Sequence, residues 1–588
     1  MKIVCLIKQI PRPDAIEFDQ GTKALKREGV PLILNPFDTR AVAEAVRLRE
    51  AVGGEVIAMT MGPPQAEVAL RVCLALGADR CIHLNDRAFA LADTIGTSRA
   101  LALAIEKEGC DLVLCGLKTL DAETWQVPPE TAAFLGRPHV TSSVSLEVVG
   151  EGLRVRRHTD DGQETVEVAL PAVVSVARAV HEPDHMEPVA GRIDVWAADD
   201  LVDDLRENDK RFGQTGSPTR VLAVHDRTPE RAGERYESVD EAAARIRELA
   251  ADRPAGATAW EKPEHLAGEP GNFYDCWTFV EIADGRATRA SLELLAKGRE
   301  LAGKLGGSNI ALVLGADVAA AVQDVSRSGA DVIFAGEHEQ LLDYVPERWV
   351  VAVRSILELE RPHVLLFPAT LRGRDLGPRV AGELEYGMTA DCVDLGIDQG
   401  GRLVQYKPAY GGNIVSVIIG ATTPQLATAR PRMFELLEPR DAEAEIRQVQ
   451  IGALPEGTRV VGTSPIDPPP RRLDEADIVV SVGGDVDPTV LRAAAQEAGA
   501  AIGGDRAACA AGRVPWGAEI GLQGRSVAPR VFVAVEADAG FEHMTGAVKA
   551  GVIAAIAADP GSPLLAAADV GLAGDWRELA PALLDALG

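Results

Sequence analysis

The sequence predicts an α/β protein with doubly wound parallel sheets, and three observations carry that reading. Short β-branched runs alternate with helical stretches along most of the 588 residues. The strand-like runs are continuously apolar rather than alternating, as strands covered on both faces are. The stretches between them carry Leu and Ala at i, i+3 and i+4 spacing, as Arg40–Ala51, Pro64–Leu76 and Ser291–Leu305 do. At about 150 residues per domain, the length points to roughly four units.

Taken in order, strands are expected at Lys2–Ile7, Glu55–Met59, Cys81–Leu84, Asp111–Cys115 and Ala172–Val176, then at Trp277–Ile282, Asn309–Leu314, Asp331–Ala335 and Val364–Pro368, and finally at Asp477–Val482 and Val531–Val535. Two stretches break the rhythm. Asp199 to Asn272 is rich in Asp, Glu, Arg, Pro and Gly around one helical island, Ser238–Leu249, and reads as a linker or wrapping arm. Pro455–Arg472, with Pro465 and Pro468–Pro470, reads as a second joint. The resulting units are 1–200, the acidic linker 201–272, 273–445 and 473–588. The first two α/β units echo each other: "LGADRCIHL" answers "SGADVIFAG", and each has a later strand running into a polar loop, "LCGLKTLDAET" or "LFPATLRGRDLGPR".

Charge excludes several functions. Sixty Lys and Arg face 88 Asp and Glu, a formal net charge of −28. Such a chain is a poor ligand for nucleic-acid backbones or anionic lipid surfaces, so neither a nucleic-acid partner nor direct membrane insertion is expected. No run of 18 or more apolar residues exists. The N-terminal MKIVCLIKQIP is interrupted by Lys8, and it reads as a buried strand rather than a signal peptide. The eight cysteines form no CxxC pair and no zinc spacing, as expected of reduced core thiols in a cytoplasmic protein. No catalytic triad, HExxH or phosphate-loop motif occurs, and no metal site is expected.

Candidate chemistry sits on loops after strands, where doubly wound folds bind ligands. The loop Gly116–Gln126 offers Lys118, Thr119, Asp121, Thr124 and Gln126, and Asn35–Asp38 gives a second polar corner. Arg372–Arg379 holds three arginines in eight residues, which clamp anions or staple a domain contact. In the last unit, glycine turns follow strands at Gly483–Gly484, Gly503–Arg506 and Gly521–Arg525, and the loop Glu536–Gly546 carries His543. Such turns let backbone N–H groups approach a diphosphate. No G-x-G-x-x-G is present, so the dinucleotide fingerprint is absent.

With these segments in hand, the chain resembles an electron-transfer flavoprotein whose β-type and α-type subunits are fused in one polypeptide. "NPFDTRAVAEAVRL", "DLVLCGLKTLDAETWQVPPETAAFLG" and "LPAVVSV" resemble the β subunit. "FVEIADGRATRASLELLAKGRELA", "PATLRGRDLGPRVAGELEYGMTADCVDL", "KPAYGGN", "AAIGGDRAACAAGRVP" and "DPGSPLLAAADVGLAGD" resemble the α subunit. The resemblance implies two related adenine-nucleotide-hydrolase-like domains and a C-terminal Rossmann-like FAD-type domain. It implies a carrier that takes electrons from a flavin dehydrogenase and passes them to a membrane-linked oxidoreductase.

By the same resemblance, AMP contacts fall on Leu6, Asn35, Asp38, Lys118, Asp121, Thr124 and Gln126, with Lys118 where glutamine is usual. FAD contacts fall on Arg506, Gly521, Gln523, Asp538, Glu542, His543 and Asp575. Several positions depart from the family: Asp505 replaces a serine, Glu519 and Leu522 replace glutamines, Gln523 a threonine, Asp538 a serine, Glu542 a glutamine and Ala557 an asparagine. Four of these are new carboxylates. At an effective dielectric of 20, one added charge 4 Å from a diphosphate costs about 4 kcal/mol. The departures support an alternative: a flavin-free scaffold subunit of a dehydrogenase complex. The usual partner-recognition segment is also altered, reading His181–Met186.

Overall fold

The computed structural model describes residues 1–12, 30–160, 162–177, 186–206, 209–226, 231, 233–252, 275–409, 414–439, 443–465, 473, 476–521 and 524–588. These fall into two compact units. The first comprises Met1–His225, Pro263–Ala409 and Ser416–Ser464; the second comprises Asp226–Lys262, Tyr410–Val415 and Pro465–Gly588.

The first unit contains both α/β halves foreseen in the sequence. In the N-terminal half, Lys2–Leu6 lies at the centre of a ten-stranded sheet, paired in parallel with Glu55–Met61 on one side and Leu112–Gly116 on the other. Arg80–Leu84 extends the first side and Ala172–Val176 the second. These strands are buried on both faces because helices cover them: Phe37, Ala41, Val42 and Leu48 of the helix Pro36–Val52 are buried against the sheet. The 273–445 half repeats the plan. Cys276–Val280 sits between Asn309–Gly315 and Val364–Pro368, all parallel. Both halves thus grow first to one side of their opening strand and then to the other. That reversal of strand order leaves a crevice beyond the carboxyl ends of the central strands.

One departure from the parallel plan lies within the first 200 residues. His139–Val149, Gly152–His158 and Gly162–Ala169 form an antiparallel meander. It meets the other half through side chains. Arg157 donates to the Tyr344 carbonyl at 2.8 Å, His139 Nε2 lies 2.6 Å from Asp375 Oδ1, and Arg379 donates to the Arg137 carbonyl at 2.8 Å. Two arginines of the segment Arg372–Arg379 serve as staples, while Arg372 lies 5.3 Å over the Tyr344 ring. Arg374 forks onto Asp391 at 2.7 and 3.2 Å, and Arg379 pairs with Glu383.

The second unit is a six-stranded parallel sheet in the order Ala501–Gly504, Ile478–Val482, Val531–Val535, Val552–Ala557, Val570–Ala573, Glu234–Tyr236. The sixth strand comes from the 201–272 stretch. The helix Val239–Asp252 follows it and buries Ala242, Ala243 and Ile246 in the same core as Leu583 and Leu584. Arg231 anchors the arm on buried Asp569 at 2.7 Å. That stretch is thus structural along its described part. The Pro/Gly-rich run from 253, the Pro468–Pro470 cluster and residues 410–413 lie outside the described residues.

Candidate functional site

In the second unit the strand order reverses between Ile478–Val482 and Val531–Val535, the position where flavodoxin-type sheets seat their ligand. Gly483 follows the first of these strands. A Cβ there would stand 1.9 Å from the Glu536 carbonyl oxygen, so only glycine lets the two loops close. A cleft of ≈ 590 Å³ opens over the strand ends, lined by Gly484, Asp485, Glu536, Ala558, Gly574, Asp575, Trp576 and Arg577. That volume lies within the range of small-molecule clefts. Of the cleft residues, the sequence singled out Gly484 as a glycine turn and Asp575 as a contact implied by the resemblance. Glu536, in the left-handed region at φ 48°, opens a loop the sequence singled out only for His543, and Arg577 was not named, although each stands within four residues of a strand end.

The cleft carboxylates have internal partners. Glu536 accepts the Ala558 N–H at 2.6 Å, and Asp575 caps the helix Trp576–Leu587 through the Arg577 N–H at 3.0 Å. The four replacement carboxylates divide into two pairs. Asp505 is buried; Oδ1 accepts the Ala508 N–H at 2.8 Å and Oδ2 the Asp538 N–H at 2.9 Å. Glu519 is buried with Oε1 3.7 Å from Arg506. Asp538 and Glu542 are exposed. Arg506 opens the short helix Arg506–Ala510 and lies 5.9 Å over the Trp516 ring.

His543 is 2 % exposed. Its Nδ1 faces the Ile520 carbonyl at 3.0 Å, which makes Nδ1 the protonated nitrogen. Nε2 is buried without a hydrogen-bond partner. Burial draws the ring below the ordinary histidine range, while the charges of Asp505 and Asp538 pull it back up. Gly521 is required at its place: φ is 146°, and a Cβ would meet the Glu542 carbonyl at 2.5 Å. Gln523 and Leu522 lie outside the described residues.

In the first unit, the β-type residues converge on the ends of Lys2–Leu6 and Leu112–Gly116. Leu6 is buried in the core. Asp38 straddles the reversal point, accepting the Lys8 N–H at 2.8 Å and the Gly116 N–H at 3.2 Å. Desolvation pushes its carboxyl up to about 7. Asn35 donates to the Lys118 carbonyl at 2.9 Å while its Oδ1 is buried without a partner, and Asp121 pairs with Lys8 at 2.6 Å. Gln126 points elsewhere: its amide donates to Glu130 at 3.0 Å and to the Met388 carbonyl at 3.2 Å. Thr124 stands half-buried in the same loop. Pro36, Pro128 and Pro129 occupy the first turns of the two adjoining helices and offer no N–H to a phosphate.

Two doubly wound halves and a flavodoxin-ordered sheet, each with a point of strand reversal, define a protein of the doubly wound α/β class. The electron transfer flavoprotein domain model matches residues 22–201 and 276–454, and the electron transfer flavoprotein FAD-binding domain model matches residues 472–548. The chain belongs to the electron transfer flavoprotein family, with β-type and α-type parts fused in that order. The electron transfer flavoprotein subunit beta of Thermoanaerobacterium thermosaccharolyticum is 43% identical over 238 residues, 40% of this chain and 91% of that protein. Subunit alpha of the same organism is 30% identical over 322 residues, 53% of this chain and 98% of that protein. Acetobacterium woodii CarD, a caffeyl-CoA reductase-Etf complex subunit, is 39% identical over 227 residues, 38% of this chain and 86% of that protein. The family role is electron transfer.

The residues of the second unit fit FAD. Asp505 and Glu519, the buried pair of replacements, are turned to backbone N–H groups and to Arg506. The sequence-based expectation of a pocket wall hostile to pyrophosphate is thus reduced to Asp538 and Glu542, whose exposed charges water screens. His543 Nε2 is a buried polar atom in want of a partner.

Proposed function

We propose that this chain is an electron carrier that holds FAD in its C-terminal unit. It would take electrons from a flavin dehydrogenase and deliver them to a membrane-linked oxidoreductase. The observation that carries the reading is His543 Nε2, buried and unpartnered on the loop that follows the central strand Val531–Val535. Leaving such an atom unpaired costs about 1–3 kcal/mol, which a ligand recovers. FAD, when bound, supplies the reversible acceptance and release of electrons. The chain supplies the setting. Arg506 offers a guanidinium for developing negative charge. His543 holds a proton on Nδ1 against the Ile520 carbonyl, so a carbonyl opposite Nε2 requires the ring to take up a second proton, which Asp505 and Asp538 favour and burial opposes. Asp575 and Glu536 suit hydroxyl groups of a ribose, for which carboxylates are the usual acceptors. Among the described residues no helix is long and apolar enough to cross a membrane.

A second reading has its own support. The N–H groups of Ala508 and Asp538 are already taken by Asp505, and the cleft carries Asp485, Glu536 and Asp575 against Arg577. These features suit a flavin-free scaffold subunit of a dehydrogenase complex. Absorbance of the purified chain, with analysis of nucleotide released by heat, separates the two. A stoichiometric flavin band supports the carrier and eliminates the scaffold. Colourless protein that fails to take up added FAD does the reverse.

A further inference from the structure

The seam between the two halves of the first unit holds a buried titratable ring that electron transfer does not use. His139 opens the strand His139–Val149 and is 1 % exposed. Its Nε2–H donates to Asp375 Oδ1 at 2.6 Å. Its Nδ1 is contested. Arg379 aims an N–H at it from 3.3 Å, while Glu347 Oε1 stands 3.8 Å away. Arg379 and Asp375 lie on the helix Gly373–Leu384 and Glu347 on the helix Pro346–Leu359, so both rivals come from the other half. A ring nitrogen accepts a hydrogen bond only without a proton and donates one only with it. Each rival therefore suits one protonation state: Arg379 the neutral ring, Glu347 the charged one.

Neither rival depends on the ring alone. Without His139, Arg379 keeps the Arg137 carbonyl at 2.8 Å and Glu383 at 2.9 Å. Glu347 Oε1 accepts the His139 backbone N–H at 3.0 Å, but Glu347 Oε2 is buried without a hydrogen-bond partner. A second ring proton would satisfy that carboxylate after a movement of about 1 Å. The other charges near the ring are already matched. Burial pushes the Asp375 carboxyl up, but the charges of His139 and Arg157 outweigh it and hold it below the ordinary carboxylate range, so it stays an anion. Arg157 pairs with Glu164 at 2.7 Å. Tyr344, which faces Asp375 beneath the stacked Arg372, is driven up by burial and stays neutral. On the helix Val127–Phe134, Glu130 is spent on Thr94, Ser98 and Gln126. The Glu44–Arg47 pair meets this strand further along, at Leu146.

We propose that His139 is a proton-operated latch between the two halves: the neutral ring takes the Arg379 N–H on Nδ1, and the protonated ring gives its Nδ1–H to Glu347. Both states keep the Asp375 bond, so the halves stay joined while the second contact passes from one helix to the other. The Glu347 contact needs the charged ring, so it is present at mildly acid pH and lost as pH rises through the ring's titration. The Arg379 contact has the opposite dependence. The inference holds whether or not the other unit carries FAD.

The test is hydrogen–deuterium exchange at the histidine C2 position, read by mass spectrometry on peptides of the full chain from about pH 5 to 9, a range that spans ordinary histidine titration. The expected result is a sigmoidal profile for His139. Glu347→Gln should weaken proton binding there about tenfold, and Arg379→Gln should strengthen it about tenfold, as removal of one neighbouring charge does. Crystal structures on either side of the wild-type midpoint should show Nδ1 within hydrogen-bond distance of Glu347 on the acid side and of Arg379 on the alkaline side. A flat wild-type profile overturns the proposal, and that measurement stands even where a variant fails to fold. So does a profile that shifts the same way, or not at all, in the two folded variants, and so does an Nδ1 that keeps one neighbour in both crystals.

Discussion

Asp505 bridges to Asp538: its Oδ2 accepts the Asp538 backbone N–H at 2.9 Å while Oδ1 caps the Arg506–Ala510 helix at Ala508. One carboxylate therefore ties the loop after Ala501–Gly504 to the loop after Val531–Val535, across the C-terminal crevice. Asp505→Ala should destabilise the second unit by about 1–2 kcal/mol, the usual loss for an N-cap. Asp505→Ser should cost less, because serine also caps. Chemical denaturation followed by circular dichroism measures both.

Asp538 and Glu542 are exposed, and neither should control cofactor affinity. Asp538→Asn with Glu542→Gln should change the FAD dissociation constant by less than about threefold at physiological salt, since exposed charges are screened over about 8 Å. Fluorescence titration of apoprotein with FAD checks this. A large tightening would mean that these side chains turn inward.

His543 makes stability of the second unit depend on pH. Its folded-state pKa is depressed, so the stabilising contribution is present above the ordinary value of 6.5 and is lost as pH falls towards the lower folded value. His543→Gln should flatten the decline in stability just below pH 6.5, as read from urea midpoints across the acid range.

Asp38 acts with the opposite sign in the first unit. Its carboxyl is raised from 3.8 to about 7, so the protonated form favours folding, and that contribution is lost as pH rises from 3.8 through about 7. Asp38→Asn should remove this loss, leaving the variant relatively more stable at mildly alkaline pH than at pH 5. Unfolding midpoints of variant and wild type, compared across that interval, report the difference.

Glycine positions separate site geometry from mere tolerance. Gly483→Ala places a Cβ 1.9 Å from the Glu536 carbonyl and should abolish FAD uptake. Gly512→Ala meets nothing within 4 Å, and its φ of 68° should cost roughly 1–2 kcal/mol without affecting uptake. Gel filtration with added FAD distinguishes the two variants.

The sequence made the parallel strands legible because continuous apolar runs such as Val364–Pro368 are buried on both faces. It hid the meander His139–Ala169, where "LRVRRH" and "ETVEVA" alternate as half-exposed strands do, and the three-residue strand Glu234–Tyr236, too short to show a period. That polar loops follow the strand ends was readable, but the orientations of their side chains were not. Nothing local reveals that Asp505 turns to backbone N–H groups, or that Gln126 faces Glu130 and Met388. The pairing of Glu123 with Arg430 was invisible for another reason: the two lie more than 300 positions apart and meet only after both halves fold.

Whether the C-terminal unit holds FAD despite its added carboxylates decides between carrier and scaffold. The direct measurement is the visible spectrum of the full-length chain after incubation with FAD and removal of unbound flavin. One bound flavin per chain is the expected result. A correctly folded chain that emerges colourless would contradict it.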